Sequence, residues 1–187
     1  PLLEIKLIAL LTTKTTHHIF FENCIFKKFN NIITIYETNF IKPQFSIKSH
    51  FESRRDIYEK KVFFKNKKFN FKSKSFEVAS INSNKTLNIL KNKNIKFILV
   101  FGTKKIRASI VDRFHGKIFN LHGGNPEKYR GLDSHYWSIY HGDFKLYTCL
   151  HVLNNKLDDG KIIFKKSIKL KKNLRIFQLR ELNTLNC

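Results

Sequence analysis

Methionine is absent from all 187 residues, position 1 included. The chain therefore reads as a processed or partial version of a longer product. Cysteine occurs three times (Cys24, Cys149, Cys187), too few and too odd a number for a disulfide framework, which suits a reducing compartment. No apolar run approaches the roughly 18 residues of a membrane span. The start, Pro1-Leu2-Leu3-Glu4, has no basic segment of the secretory kind. A cytoplasmic, membrane-free protein is the expectation. Neither a phosphate-binding Gly-x-x-x-x-Gly-Lys loop nor a Gly-x-Gly-x-x-Gly turn is present, which argues against ATP or NAD. Hydrophobic residues at 42% and aromatics at 14% are too many for a disordered tail. At this length they furnish the core of one domain spanning residues 1–187.

Acidic residues are also scarce: 14, against 36 Lys plus Arg, for a formal charge of +22. Such an excess usually points to nucleic acid or an anionic surface. Here lysines outnumber arginines 29 to 7, whereas bidentate phosphate recognition favours arginine. Lys, Asn, Ile and Phe supply 88 of the 187 residues, a bias spread over the whole chain. Residues 112–160 carry six basic and six acidic side chains, so the excess lies outside this neutral segment.

Hydrophobic spacing predicts alternating strands and helices. Leu2–Leu11, Asn31–Tyr36, Phe76–Ser80, Lys96–Phe101, Lys117–Leu121, Tyr147–Leu153 and Lys161–Ile168 read as strands. His17–Phe29, Phe45–Phe64 (Phe51, Ile57 and Tyr58 on one side), Asn82–Lys93, Ile106–Phe114 and Gly131–His141 read as helices. In Gly131–His141, Leu132, Tyr136 and Ile139 stand at helical spacing, and Tyr136 and Trp137 are expected in the core, with substrate contact as the alternative. The chain ends at Cys187 inside a further helical pattern, which implies truncation. The fold class is α/β, a mostly parallel sheet flanked by helices, with its site at the carboxyl ends of the strands.

All seven glycines lie between Gly102 and Gly160, and five of eight histidines between His115 and His151. A composition that avoids glycine elsewhere tolerates it where backbone must turn tightly or approach a ligand. Within this segment stands Asn120-Leu121-His122, at a strand end. Residues two apart in a strand share a face, so an amide and an imidazole emerge together beside Gly123-Gly124, a pairing suited to an oxyanion. A cap or turn explains a lone Asn-x-His as well, and a turn explains Leu157-Asp158-Asp159-Gly160 as well. His17-His18 read as a surface pair at a helix start. Metal binding by the five later histidines would need them to converge, and no metal is expected. Cys149 reads as a small buried hydrophobe.

The ordered set Asn120-Leu121-His122-Gly123-Gly124-Asn125-Pro126-Glu127-Lys128-Tyr129-Arg130-Gly131, then His135, then Leu157-Asp158-x-Gly160, resembles the folate-dependent formyltransferases. That family includes methionyl-tRNA formyltransferase, glycinamide ribonucleotide formyltransferase and the nucleotide-sugar N-formyltransferases. The resemblance implies a Rossmann-like catalytic domain and 10-formyltetrahydrofolate as formyl donor. It implies Asn120, His122 and Asp158 as catalytic residues. Phe101, Gly102, Thr103 and Gly160 would contact the folate. Gly123, Gly124, Tyr129, Arg130, Gly131 and His135 would line the acceptor side. The implied acceptor is a primary amine: an amino sugar on a nucleotide is favoured, with methionyl-tRNA close behind, and a homodimer is compatible. Gly123-Gly124 replaces the Pro-Ser of many relatives, and Lys161 follows Gly160 where relatives often have Pro or an acidic residue. The other class left open is an impaired family member that binds folate or a polyanion without turnover.

Overall fold

The computed structural model describes residues 7–39 and 50–187. Seven strands form one sheet in the order β3-β2-β1-β4-β5-β6-β7. They are β1 (Leu7–Thr13), β2 (Ile32–Glu37), β3 (Lys74–Val78), β4 (Ile95–Val100), β5 (Ile118–His122), β6 (Lys145–Val152) and β7 (Ile162–Lys169). The first five run parallel, and β6 and β7 are added antiparallel. The helices are α1 (Thr16–Lys28), α2 (His50–Phe64), α3 (Asn84–Asn92), α4 (Ala108–Val111), α5 (Ser134–Tyr140) and α6 (Leu179–Asn186), the last preceded by a 3-10 turn at Ile176–Gln178. This is the Rossmann-like α/β architecture expected from the sequence.

Two apolar clusters hold the sheet. The larger joins Ala9, Leu11, Ile33, Ile35, Ile98, Val100 and Ile118 to Leu90 of α3 and to Ile110 and Val111 of α4. The smaller packs Leu10, Ile32, Phe101 and Leu121 against Phe21 of α1. Alternate residues of β1 thus serve opposite faces, which is why the central strand reads as a continuous apolar run.

Several boundaries shift from the sequence reading. The first strand reaches Thr13, because Thr12 and Thr13 pair with Tyr36 and Glu37 of β2 beyond the apolar run, and the Thr12 hydroxyl donates to the Phe101 carbonyl at 2.8 Å. Its expected beginning, residues 2–6, lies outside the described residues, as does the start of the helix expected from Phe45. On α2, Ile57 is exposed while Phe51 and Tyr58 pack on Tyr136 and Phe177, so the three do not share a face. On the Gly131–Tyr140 segment the expected core placement is partly reversed. Leu132 and Trp137 are exposed, because the helix starts only at Ser134 and buries Ser134, His135 and Ser138.

The chain reverses direction across the sheet between β1 and β4. That switch point opens a crevice at the strand ends. There α1 presents His18, whose ring stands on Gly102 and edge-on to Phe101 at 5.0 Å.

Candidate active site

Asn120 and His122 lie on β5 with the buried Leu121 between them, so the pleat sends both to one face. Asp158 reaches that face from the loop between β6 and β7. The Asn120 amide donates to Asp158 Oδ1 at 2.9 Å, and the Gly131 backbone N–H donates to Oδ2 at 2.8 Å. His122 Nδ1 lies 3.6 Å from Oδ2. The three residues implied by the sequence motif therefore meet around one carboxylate.

The loop that carries Asp158 is built for this. Asp158 adopts the left-handed backbone region (φ 44°), which Asp tolerates better than most residues, so the turn and the site are one feature. Gly160 lies against the Val152 carbonyl, where a Cβ would collide with backbone. Burial opposes the charge on Asp158, but the adjacent His151 and His122 rings and the Gly131 N–H outweigh it and hold the carboxyl at about 2.

His122 has an acceptor at each nitrogen: the Tyr129 carbonyl at 3.1 Å from Nε2 and Asp158 on the Nδ1 side. A carbonyl only accepts, so Nε2 carries the proton of the neutral ring and Nδ1 is left as a base facing the carboxylate. Burial lowers the imidazole pKa, and Asp158 and the Tyr129 carbonyl partly restore it. The ring is thus neutral in the resting site yet able to stabilise an added proton.

The remaining sequence-predicted residues occupy two positions. Tyr129, Arg130 and Gly131 form the loop rim: Arg130 bonds the Pro126 carbonyl through Nε and Asp159 through Nη2 at 2.6 Å. The Gly123 carbonyl accepts from Ser134 and from Asn183 of α6, and a Cβ at Gly124 would strike Ser134 and His122. His135 is buried beside them. Its pKa is driven down to about 4 by burial and then by Arg180, Arg55 and His122. Its Nε2 finds no hydrogen-bond partner among the described residues. Gly102 adopts φ 70° at the β4 end, Thr103 bonds within its own loop, and the Phe101 side chain is a core residue. A cleft of about 410 Å³ lies next to that loop, lined by Lys105, Ile106, Arg107, Ala108 and Asn155.

Two contributors were not legible in the motif. His151, fully buried on β6, sits opposite Asn120 in register, with Nε2 at 3.2 Å from the Asn120 amide and 3.6 Å from Asp158 Oδ1. Only the antiparallel register of β6 reveals it. Arg180, beyond every recognised motif, is clamped by Glu59 at 2.6 and 2.7 Å and by Asp56 at 2.9 Å. Through that clamp α6 is fixed to α2 beside His17 and His135, and a charge so paired is not evident from spacing.

Comparison with known proteins places the chain in a family. The chain is 29% identical over 103 residues to methionyl-tRNA formyltransferase from Finegoldia magna, covering 54% of this chain and 33% of that protein. It is 30% identical over 135 residues to the bifunctional polymyxin resistance protein ArnA of Wigglesworthia glossinidia brevipalpis, covering 70% of this chain and 20% of that protein. The chain thus spans about a third or less of these relatives. The fold matches glycinamide ribonucleotide transformylase 1 from Geobacillus kaustophilus with a TM-score of 0.67 at 15% identity, covering 98% of this chain and 93% of that one. The family model described as formyl transferase matches residues 44–181, a span that contains Asn120, His122, Asp158 and the loops around them. The chain belongs to the formyl transferase family.

Proposed function

We propose that this chain is the catalytic domain of an enzyme that passes the formyl group of 10-formyltetrahydrofolate to a primary amine, with an amino sugar linked to a nucleotide as acceptor. The observation that carries the proposal is the convergence of Asn120, His122 and the buried, ionised Asp158 on one face at the end of β5. The amine nitrogen attacks the formyl carbon, forming the new C–N bond and a tetrahedral oxyanion. The Asn120 amide and the His122 N–H serve that oxyanion as donors by exchanging their resting acceptors, Asp158 and the Tyr129 carbonyl, for it. Collapse breaks the bond between the formyl carbon and the folate nitrogen. The proton lost by the amine passes through His122 or a water to the leaving nitrogen. Asp158 orients that water and stabilises the imidazolium while it exists. The cleft beside Lys105, Arg107 and Asn155, bordering the Gly102 turn, is where the residues fit the anionic donor.

The test is a thermal-shift titration with a 5-deaza analogue of the donor, followed by a formyl-transfer assay. A saturable rise in melting temperature, with transfer abolished in Asn120→Ala, is the expected result. Unchanged transfer in Asn120→Ala would sink the catalytic assignment. Binding without any transfer would instead favour a folate-binding member without turnover.

A second reading, methionyl-tRNA as acceptor, is favoured by the similarity to methionyl-tRNA formyltransferase and by the +22 charge. Filter binding of tRNA across a salt series separates the two. A steep slope with useful affinity at physiological salt supports tRNA, and flat, weak binding removes it.

A further inference from the structure

Large exposed apolar side chains gather on one side of the site mouth. Leu132, Trp137, Tyr140 and Phe144 are 68%, 52%, 79% and 58% exposed, all within thirteen residues of the chain. The rings among them are ordered. Tyr129 and His141 lie nearly parallel at 5.7 Å (19°), and Trp137 continues the row from His141 at 6.1 Å (25°). Tyr140 stands edge-on to both Trp137 and His141, at 5.8 and 5.2 Å. This is a row of offset rings braced at right angles, the arrangement aromatic quadrupoles favour. A single protein domain seldom leaves so concentrated an aromatic surface without a use for it.

The row is joined to the catalytic residues. Tyr129 at one end lends its backbone carbonyl to His122 Nε2. Ser134, at the start of the helix bearing Trp137 and Tyr140, bonds the Gly123 carbonyl. At 1.5 Å per residue, Tyr140 stands about 9 Å along the axis from Ser134, a span that the ribose and diphosphate of a nucleotide-linked sugar bridge.

We propose that the Tyr129–His141–Trp137 row is a stacking platform for the nucleobase of a nucleotide-linked amino sugar, so that the sugar amine is delivered to Asn120 and His122. The inference rests on the formyl-transfer reading above and assigns the acceptor's far end to this surface. Stacking on such rings is tolerant of base identity. Lys128, exposed beside Tyr129, supplies charge complementary to the diphosphate, and Arg130 on the other side does so by releasing Asp159. The surrounding segment, residues 112–160, is neutral overall, which suits one nucleotide better than an RNA backbone.

Trp137 is the only tryptophan of the chain, so its emission reports on the platform directly. Uridine and guanosine diphosphates are titrated into the purified chain with Trp137 emission as readout. Saturable quenching is expected, with affinity weakened about tenfold in Tyr140→Ala and His141→Ala, the order of one lost stacking contact. Quenching is read in the absence of formyl donor, so its outcome is independent of whether formyl transfer is ever observed. The proposal is overturned if neither diphosphate quenches a chain shown to be folded, or if quenching is unchanged in both ring variants. It is equally overturned if only the trinucleotide CCA quenches, or only the 5-deaza folate analogue, since the platform then serves an RNA end or the donor. A ligand-free emission that shifts with protein concentration, alongside a dimer in sedimentation, assigns the surface to a second copy and overturns it too.

Discussion

Asp158 collects three demands on one carboxylate: it accepts from the Asn120 amide and the Gly131 N–H, and it faces His122 Nδ1. Replacing it with Asn preserves shape but turns one acceptor into a donor aimed at groups that already donate. Asp158→Asn is expected to cost formyl transfer at least as much as loss of an oxyanion donor, on the order of 10²–10³ in kcat. Single-turnover transfer under saturating donor measures this, and a loss confined to KM would contradict the role. Gly160 makes a separate, structural claim. With the Val152 carbonyl where a Cβ would sit, Gly160→Ala must move backbone. Overpacking of that kind typically costs about 1–3 kcal/mol, and the displaced loop carries Asp158 away from Asn120. Urea unfolding and transfer assays are expected to fall together. At this scale the sequence was readable wherever chemistry and spacing coincide locally, as in Asn120-Leu121-His122 and Leu157-Asp158-x-Gly160. It was silent on His151, because the pairing of Asn120 with His151 depends on how β6 folds back, which no local pattern encodes.

The elements divide in the same way. β1, buried on both faces from Ala9 onward, declares itself as an apolar run, as does β4 although its Phe97 is exposed, and their parallel order follows from the intervening helices. The helix bearing Trp137 misled the spacing argument. It buries small and polar residues against the Gly123-Gly124 turn and turns its aromatics outward, the reverse of an ordinary amphipathic helix. α6 is held by an electrostatic tie that hydrophobic periodicity does not detect. Glu59 is fully buried, and its two oxygens meet Arg180 in the bidentate geometry that favours arginine, with His17 Nδ1 3.9 Å from Oε2. Removing one partner strands the other's charge. Arg180→Met is expected to destabilise by about 3–5 kcal/mol, whereas the double variant Arg180→Met with Glu59→Gln recovers much of the loss. Equilibrium unfolding of the two variants measures the coupling, and additive losses would show that the pair does not act as a unit.

Taken as a whole, the molecule buries neutral histidines on both sides of Arg180: His18 at the switch point between β1 and β4, and His135 near the Gly123-Gly124 turn. His18 is held between the Thr13 and Thr15 hydroxyls at 2.8 and 2.7 Å, and burial, then Arg180, lowers its pKa to about 3. His135 is lowered to about 4, and burial with His18 and Arg180 nearby lowers His17 as well. In the unfolded chain these rings titrate near 6.5. Between that value and the folded value the unfolded state binds more protons, so stability is full above about pH 6.5 and falls as pH drops towards 4 and 3. Asp158, held at about 2 against an ordinary 3.8, withdraws its own contribution only below that ordinary value. Acid sensitivity therefore begins with imidazoles, more than two pH units before the Asp158 carboxylate is affected. The rising positive charge of a chain already at +22 acts in the same direction. His135 alone accounts for on the order of 3 kcal/mol across this window. Urea midpoints measured from pH 8 to pH 4 are expected to hold steady to about 6.5 and then decline. In His135→Gln the decline is expected to be shallower by about that amount, because a side chain without a titrating proton has none to bind on unfolding. A midpoint that stays flat until pH 4 and drops only below it would place the sensitivity on carboxylates and refute the histidine account.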